Sequence, residues 1–480
     1  MNASLRPPVG NQLRPFKLLI GGQLVDGATT MEVINPATGQ VLVQCPRASA
    51  AQAQQAIAAA KAAFPAWSSK SWNERRALVL ELADAIEATA GELSPLLTQE
   101  QGKPRFGADF EVHESARILR IFAEMELTDK VLHEDEQGRA VETRAPLGVV
   151  AAITPWNFPI ILLMNKLGPG LMTGNTFVLK PAPTTPLTTL RLGEICARLL
   201  PPGVVNTITD QNDLGPLLTQ HADVAKVAFT GSTATGRKVM ASGAETLKRL
   251  TLELGGNDAA IVLEDADPIA TAQKIFNGAM FNSGQICAAI KRVYVADSLY
   301  DAVCGELARL AKESVVGDGM DPTTTVGPIQ NKMQFEKLKG YLEDAKARGK
   351  VIAGGAPLDR PGYFIPPTIV RDIPDDARLV REEQFGPVLP VMRFRDLEDA
   401  LARANDSEYG LCGSVWSGNT ARACDVARRL NSGTVWVNKT LEINPSYPFR
   451  GAKQSGLGAE LGQVGLEEYT QAKVINIDKG

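Results

Sequence analysis

The sequence predicts an α/β protein built from two doubly wound parallel-sheet lobes, and three observations carry that prediction. Short apolar runs alternate with helical stretches from about residue 147. A second series of the same kind begins at 259. The length of 480 residues allows roughly two to four domains, each able to bury its own core. In chain order, the first helices are expected at 51–63 and 73–90, the latter opened by Ser71 with Glu74 at capping-box spacing. The runs LGVVAAITP, TFVLKP, GVVNTIT, VAKVAFTG and LKRLTLELGG then read as strands of βαβ units, hence a parallel sheet covered on both faces. AAIVLED, KRVYVAD and TVWVN belong to the second lobe, with the break at 253–258.

Two segments fit neither core. Leu127–Arg144 is charge-rich and precedes the first buried strand, and the tail AKVINIDKG alternates apolar and polar residues. Both read either as edge strands, pairing with each other or with another subunit, or as a surface hairpin and a frayed tail.

Charge narrows the partners. Fifty Lys plus Arg against 54 Asp plus Glu leave a net charge of −4, so no basic field exists for nucleic acid or an anionic membrane, and a small molecule is the expected ligand. Six cysteines without a C-x-x-C pair and three histidines give no zinc spacing, so no metal is expected. The N-terminal MNASLRPPVGNQLRPFKLL lacks a signal-peptide core, and no run of about 18 apolar residues follows. The cytoplasm is therefore the expected compartment.

Four motifs carry chemistry. In NSGQIC, Cys287 is flanked by small and amide residues in a loop where a thiol can meet substrate, although a buried inert cysteine is the commoner case. In LELGG, Glu253 lies between two leucines at a strand end, where desolvation would raise its pKa toward that of a general base; a surface glutamate is equally compatible. TPWNFP holds Asn157 between Pro155 and Pro159 as a fixed N–H donor for an oxyanion, or as a simple turn residue. FTGSTATG ends a strand in a glycine turn that opens a helix, suited to phosphate, yet its G-x-x-x-x-G spacing is neither a dinucleotide fingerprint nor a P-loop. Upstream, Lys180 ends a parallel strand where open α/β sheets bind ligands.

Taken together, TPWNFP, NKLGPGLMTGNTFVLKPAP, FTGSTATG, LELGG, NSGQIC and EEQFGP stand in the order found in the aldehyde dehydrogenase superfamily, which the chain resembles over nearly its whole length. PFRGAKQSGLGAELGQVGLEEYT is similar to that family's closing segment. The resemblance implies a Rossmann-like NAD(P)-binding domain at 1–126 and 145–253 and a catalytic domain at 254–455. It further implies a small β oligomerisation arm and tail at 127–144 and 456–480, assembling a homodimer or homotetramer.

By motif match, Cys287 is the nucleophile, Asn157 the oxyanion donor, Glu253 the base that activates water, and Lys166 a support for charge around the nicotinamide and Asn157. The cofactor, NAD or NADP, is implied to bind Lys180 through its adenosine ribose, Gly231 and Ser232 through its pyrophosphate, and Glu383 and Phe385 through its nicotinamide ribose. Ile153, Thr154, Pro155, Trp156, Leu254 and Gly255 complete its expected cleft. Pro183 stands where NAD-specific relatives often carry a glutamate, so NAD is favoured with room left for a 2′-phosphate. The implied substrate pocket is Phe158, Leu162, Asn165, Phe281, Ile286, Ile443 and Phe449, which suits an uncharged aliphatic or aromatic aldehyde. Asn165 and Phe281 lack the arginines of a succinate clamp, and Asn165 also lacks the tryptophan of a trimethylammonium box. A CoA-acylating semialdehyde dehydrogenase is the runner-up, opposed by Glu253; a non-catalytic descendant is opposed by the presence of Cys287, Glu253 and Asn157 together.

Overall fold

A computed structural model describes residues 13–480; the first twelve, which the leader argument and the cofactor-domain assignment include, lie outside the described residues. Its centre is two sheets. In the first, strands Val205–Thr207, Thr176–Lys180, Val149–Ile153, Val224–Thr230 and Arg249–Glu253 lie side by side and parallel. The second runs Lys350–Ala353, Thr368–Arg371, Val388–Phe394, Ile290–Ala296, Asp258–Val262, Cys412–Trp416 and Thr434–Val437, parallel except at its first pair. The chain passes between them through residues 254–257, inside the expected break.

Why these runs are continuously apolar follows from the pleat. Side chains of a strand alternate between faces, so a strand covered on both sides has no polar face to show. Val149, Ala151 and Ile153 enter one core, whereas Val150 and Ala152 enter the other. The second sheet repeats this, with Ala259 and Ile261 on one face and Ala260 and Val262 on the opposite one.

The early helices span Ala50–Ser68 and Trp72–Ala88, and Ser71 and Glu74 form the expected reciprocal cap. Ser49 and Gln52 make a second capping box, which explains why the first helix starts where it does. Both uncertain segments are strands: Thr470–Asp478 pairs antiparallel with Gly138–Pro146, which in turn pairs with Lys130–Glu134. The tail segment 456–480 does not act as one unit, however. Gly456–Leu457 adds to the edge of the first sheet beside Arg249–Glu253, Gly462–Glu467 is helical, and only Thr470–Asp478 joins the small third sheet. Among the described residues no helix is long and apolar enough to cross a membrane, and no His/Cys/Asp/Glu group is arranged to hold a metal ion.

Candidate active site

The carboxyl ends of the first sheet open into a cleft of about 750 Å³. All twelve residues expected around the cofactor line it: Ile153, Thr154, Pro155, Trp156, Lys180, Pro183, Gly231, Ser232, Leu254, Gly255, Glu383 and Phe385. Asn157 and Cys287 share the same wall. Trp156 and Phe385 meet edge to face, ring centres 5.2 Å apart. Ser232 caps helix Thr233–Gly243, its hydroxyl accepting from the Thr235 N–H. Lys180 Nζ forms a buried ion pair with Asp210 at 2.7 Å.

A dinucleotide suits this cleft. Thr154 Oγ1 is buried in it without a partner. Gly231 and Gly255 pack directly under side chains of the cleft wall: a Cβ at Gly255 would lie 2.4 Å from Glu383 Oε2 and one at Gly231 would lie 2.5 Å from the Phe229 ring, so a side chain at either would displace part of that wall. The volume falls within the range of ligand pockets.

Cys287 follows a sharp turn between helix Pro268–Met280 and strand Ile290–Ala296. Asn282, Ser283 and Gly284 are all left-handed, with φ of 51°, 56° and 69°. At Gly284 a Cβ would also lie 2.4 Å from the Gly386 carbonyl oxygen, so only glycine fits there. The thiol of half-buried Cys287 is pushed up to about 12 by burial, with Lys291 opposing and the carboxylates of Glu383, Glu253 and Asp258 reinforcing the shift. It is protonated at neutral pH in this state.

Asn157 is held more firmly than its flanking prolines alone suggest. Its Nδ2 donates to the Gln285 carbonyl at 3.0 Å, which pins the amide and leaves its second N–H for an oxyanion. Its own carbonyl accepts from Lys103 Nζ at 2.8 Å and from Asn282 Nδ2 at 3.1 Å. Lys103 is buried, ion-paired with Glu111 and set 3.7 Å from the Phe158 ring centre. Glu111 accepts from the Ile160 and Ile161 N–H groups at 2.8 and 3.3 Å, fixing the helix that follows. Neither Lys103 nor Glu111 was legible in the sequence as a site residue, because both lie some fifty residues upstream of the loop they hold. With this preorganisation, Asn157→Ala is expected to lower kcat by about 10²–10³-fold, or about 3–4 kcal/mol. Steady-state kinetics against wild type measures it.

Glu253 ends its strand at 4% exposure, and neither carboxylate oxygen has a hydrogen-bond partner. Burial raises its pKa well above the usual carboxylate range; Glu460 adds to the shift and Lys166 opposes it. Lys166 stands differently from the expectation. Its buried ammonium is taken up by Thr230 Oγ1 at 2.6 Å and by Glu460, so it sits near Glu253 and does not line the cofactor cleft. A buried ammonium needs a counter-charge, and Glu460 in GAELG supplies it. That glutamate lies almost three hundred residues from Lys166, beyond the reach of a local pattern.

Of the expected pocket, Phe158 and Ile286 are buried in one apolar cluster, with Leu162, Phe281, Phe449 and Cys287 packed against it. Asn165 instead faces Glu460, its Nδ2 donating to the carboxylate at 3.4 Å while its Oδ1 is buried without a partner. Ile443 is 38% exposed, on the loop after Leu441, and stands apart from the buried cluster. Two further rings extend the wall. Phe106 and Phe110, 54% and 50% exposed on helix Arg105–Glu124, lie 6.2 and 6.1 Å from the Phe281 ring, which itself stacks 6.3 Å from Phe158.

A thiol and an unpartnered carboxylate beside a dinucleotide-sized cleft, at the carboxyl ends of a parallel sheet, define a nucleotide-dependent oxidoreductase with a cysteine in its site. The chain belongs to the aldehyde dehydrogenase family, whose description matches residues 24–475, and it is an NAD(P)-dependent enzyme oxidising aldehydes. It is 41% identical over 471 residues to the mitochondrial aldehyde dehydrogenase of Leishmania tarentolae, covering 96% of this chain and 94% of that one. It is 39% identical over 496 residues to the phenylacetaldehyde dehydrogenase of Pseudomonas fluorescens, covering 99% and 98% of the two chains. The NAD+ complex of the Bacillus cereus aldehyde dehydrogenase superposes with a TM-score of 0.95 at 37% identity, covering 97% of each chain.

Proposed function

We propose that this enzyme oxidises uncharged arylalkyl or medium-chain aldehydes to carboxylic acids through a Cys287 thiohemiacetal and thioester. The observation that carries the substrate class is the double membership of Cys287, which lines the cofactor cleft and packs against the aromatic cluster. Burying a phenyl group on such a wall is worth about 2–3 kcal/mol, or roughly 30- to 160-fold in kcat/KM over a two-carbon aldehyde.

The bound dinucleotide supplies the hydride acceptor. Lys180 holds the adenosine ribose, Gly231 and Ser232 the pyrophosphate, and Glu383 with Phe385 the nicotinamide ribose. NAD is preferred, because the Lys180 charge is compensated by Asp210 and Glu32 puts a carboxylate into the cleft, against Lys332 and Lys337 elsewhere in its lining. Cys287 releases its thiol proton to solvent and its Sγ adds to the aldehyde carbon, the carbonyl π pair moving to the oxygen, while the Asn157 amide and the Cys287 backbone N–H hold the oxyanion. Glu253, whose pKa burial raises, then takes a proton from the water that hydrolyses the thioester.

Residues 13–126 with 145–253 serve the cofactor and 254–455 the catalytic thiol, a division supported by the membership of the two sheets. A homodimer or homotetramer is supported by the outer strand Thr470–Asp478, whose Val474, Ile475 and Ile477 are exposed along an edge with no further strand among the described residues. Six free cysteines suit a reducing compartment such as the cytoplasm. The test is reduced-cofactor formation at 340 nm across arylalkyl, linear and succinate-type aldehydes, with NAD and NADP in parallel and with or without CoA. Arylalkyl aldehydes are expected to give the highest kcat/KM without CoA. A preference for a charged semialdehyde, or dependence on CoA, overturns the reading.

A further inference from the structure

Lys291 is buried at the start of strand Ile290–Ala296, four residues after the nucleophile. Its Nζ donates to the Ile286 carbonyl at 2.9 Å and to the Cys287 carbonyl at 2.6 Å, clasping both peptide units that flank the thiol-bearing residue. The same ammonium lies 3.5 Å from Glu383 Oε1. That carboxylate is folded over Gly255 and accepts from the Gly256 N–H at 3.0 Å. The next residue completes the link, since Gln384 Nε2 donates to the Lys291 carbonyl at 3.3 Å. One buried cation therefore joins the loop of Cys287 to a carboxylate in the cofactor cleft.

We propose that Lys291 is a positioning residue that couples engagement of Glu383 by cofactor to formation of the Cys287 thiolate. This rests on the reading of Cys287 as nucleophile and Glu383 as a cofactor ligand. With Glu383 folded in, the Lys291 charge is shared between that carboxylate and the two carbonyls. When Glu383 turns to a ribose hydroxyl, the ammonium is left facing the Cys287 loop alone, and the thiol releases its proton to solvent more readily. The other groups acting on this thiol are carboxylates or a thiol: Glu253 from the first sheet, Asp258 from the strand it begins, Glu383 itself, and Cys412 from the neighbouring strand. Lys291 is the cation that opposes them.

Iodoacetamide labelling of Cys287 over a pH series, read by peptide mass with and without NAD, tests this in the whole enzyme. Lys291→Met is expected to slow labelling at pH 8 about tenfold, shifting the profile up by about one pH unit. It is also expected to abolish any acceleration by NAD. Lys291→Arg retains the wild-type profile within about threefold. Glu383→Gln, made without touching Lys291, speeds labelling in the absence of NAD and removes the further effect of NAD. A wild-type labelling profile in Lys291→Met, or an unchanged rate in Glu383→Gln, overturns the proposal. If Lys291→Met does not fold, Glu383→Gln and Lys291→Arg decide it alone. Failure of the underlying reading shows separately, as full turnover in a Cys287→Ala enzyme.

Discussion

Cys287→Ala is expected to remove aldehyde-dependent NAD reduction, lowering kcat/KM by at least about 10⁴-fold. Methyl replaces the only atom able to bond the carbonyl carbon, and the other five cysteines offer no substitute. Cys45, Cys196, Cys304 and Cys412 are buried outside the cleft lining, and Cys424 sits on helix Thr420–Ala427 away from it. Removing one sulfur from a half-buried position leaves the cleft lining otherwise intact, so NAD binding measured by fluorescence quenching is expected to stay within about threefold of wild type. Residual turnover above that floor would place the chemistry elsewhere.

Glu253→Gln separates the two halves of the reaction. The amide keeps the size of the side chain and, with neither carboxylate oxygen bonded in the structure, disturbs no hydrogen bond. It cannot take a proton from water. In stopped flow the variant is expected to give a burst of reduced cofactor approaching one equivalent per active site, followed by a steady rate about 10²–10⁴-fold below wild type. The pH dependence has a definite sign. Because burial raises the pKa of Glu253, the base is protonated at low pH and ionises only as pH climbs through that raised value. The wild-type steady rate therefore rises with pH over that interval, and the variant loses this limb. Equal loss of burst and steady phases would mean that Glu253 also acts before hydride leaves.

Much of this site can be read from the chain because its chemistry sits where regular elements stop. A strand buried on both faces announces itself as an apolar run, and the residues that end such runs inherit their place from them: Ile153 and Lys180 in the cleft lining and Glu253 buried immediately before Leu254 and Gly255, which line it. Cys287 and Asn157 are marked by backbone-shaping neighbours, Gly284 in one case and two prolines in the other. The parts that escape such reading are partners brought from a distance. Lys103, Glu111 and Glu460 look like ordinary surface charges in sequence, and only tertiary packing buries them. Strand Val388–Phe394 escapes for a different reason. Pro390 within it argues against an interior strand, yet it lies between Thr368–Arg371 and Ile290–Ala296. Phe106 and Phe110 escape because an exposed ring on a helix gives no local sign that another ring waits beside it.

The left-handed turn at 282–284 and the rings of helix Arg105–Glu124 differ in how much change each tolerates. The turn is bound to its backbone shape, so a lineage that alters it forfeits the position of the thiol. The rings stand half exposed on a regular helix, where the main-chain shape does not depend on the side chain carried. On the proposed substrate reading, the two exposed rings lie on one element and the turn that precedes the thiol on another. A library at positions 106 and 110 is therefore expected to shift the ranking of kcat/KM among aldehydes while the rate of Cys287 labelling by iodoacetamide stays that of wild type.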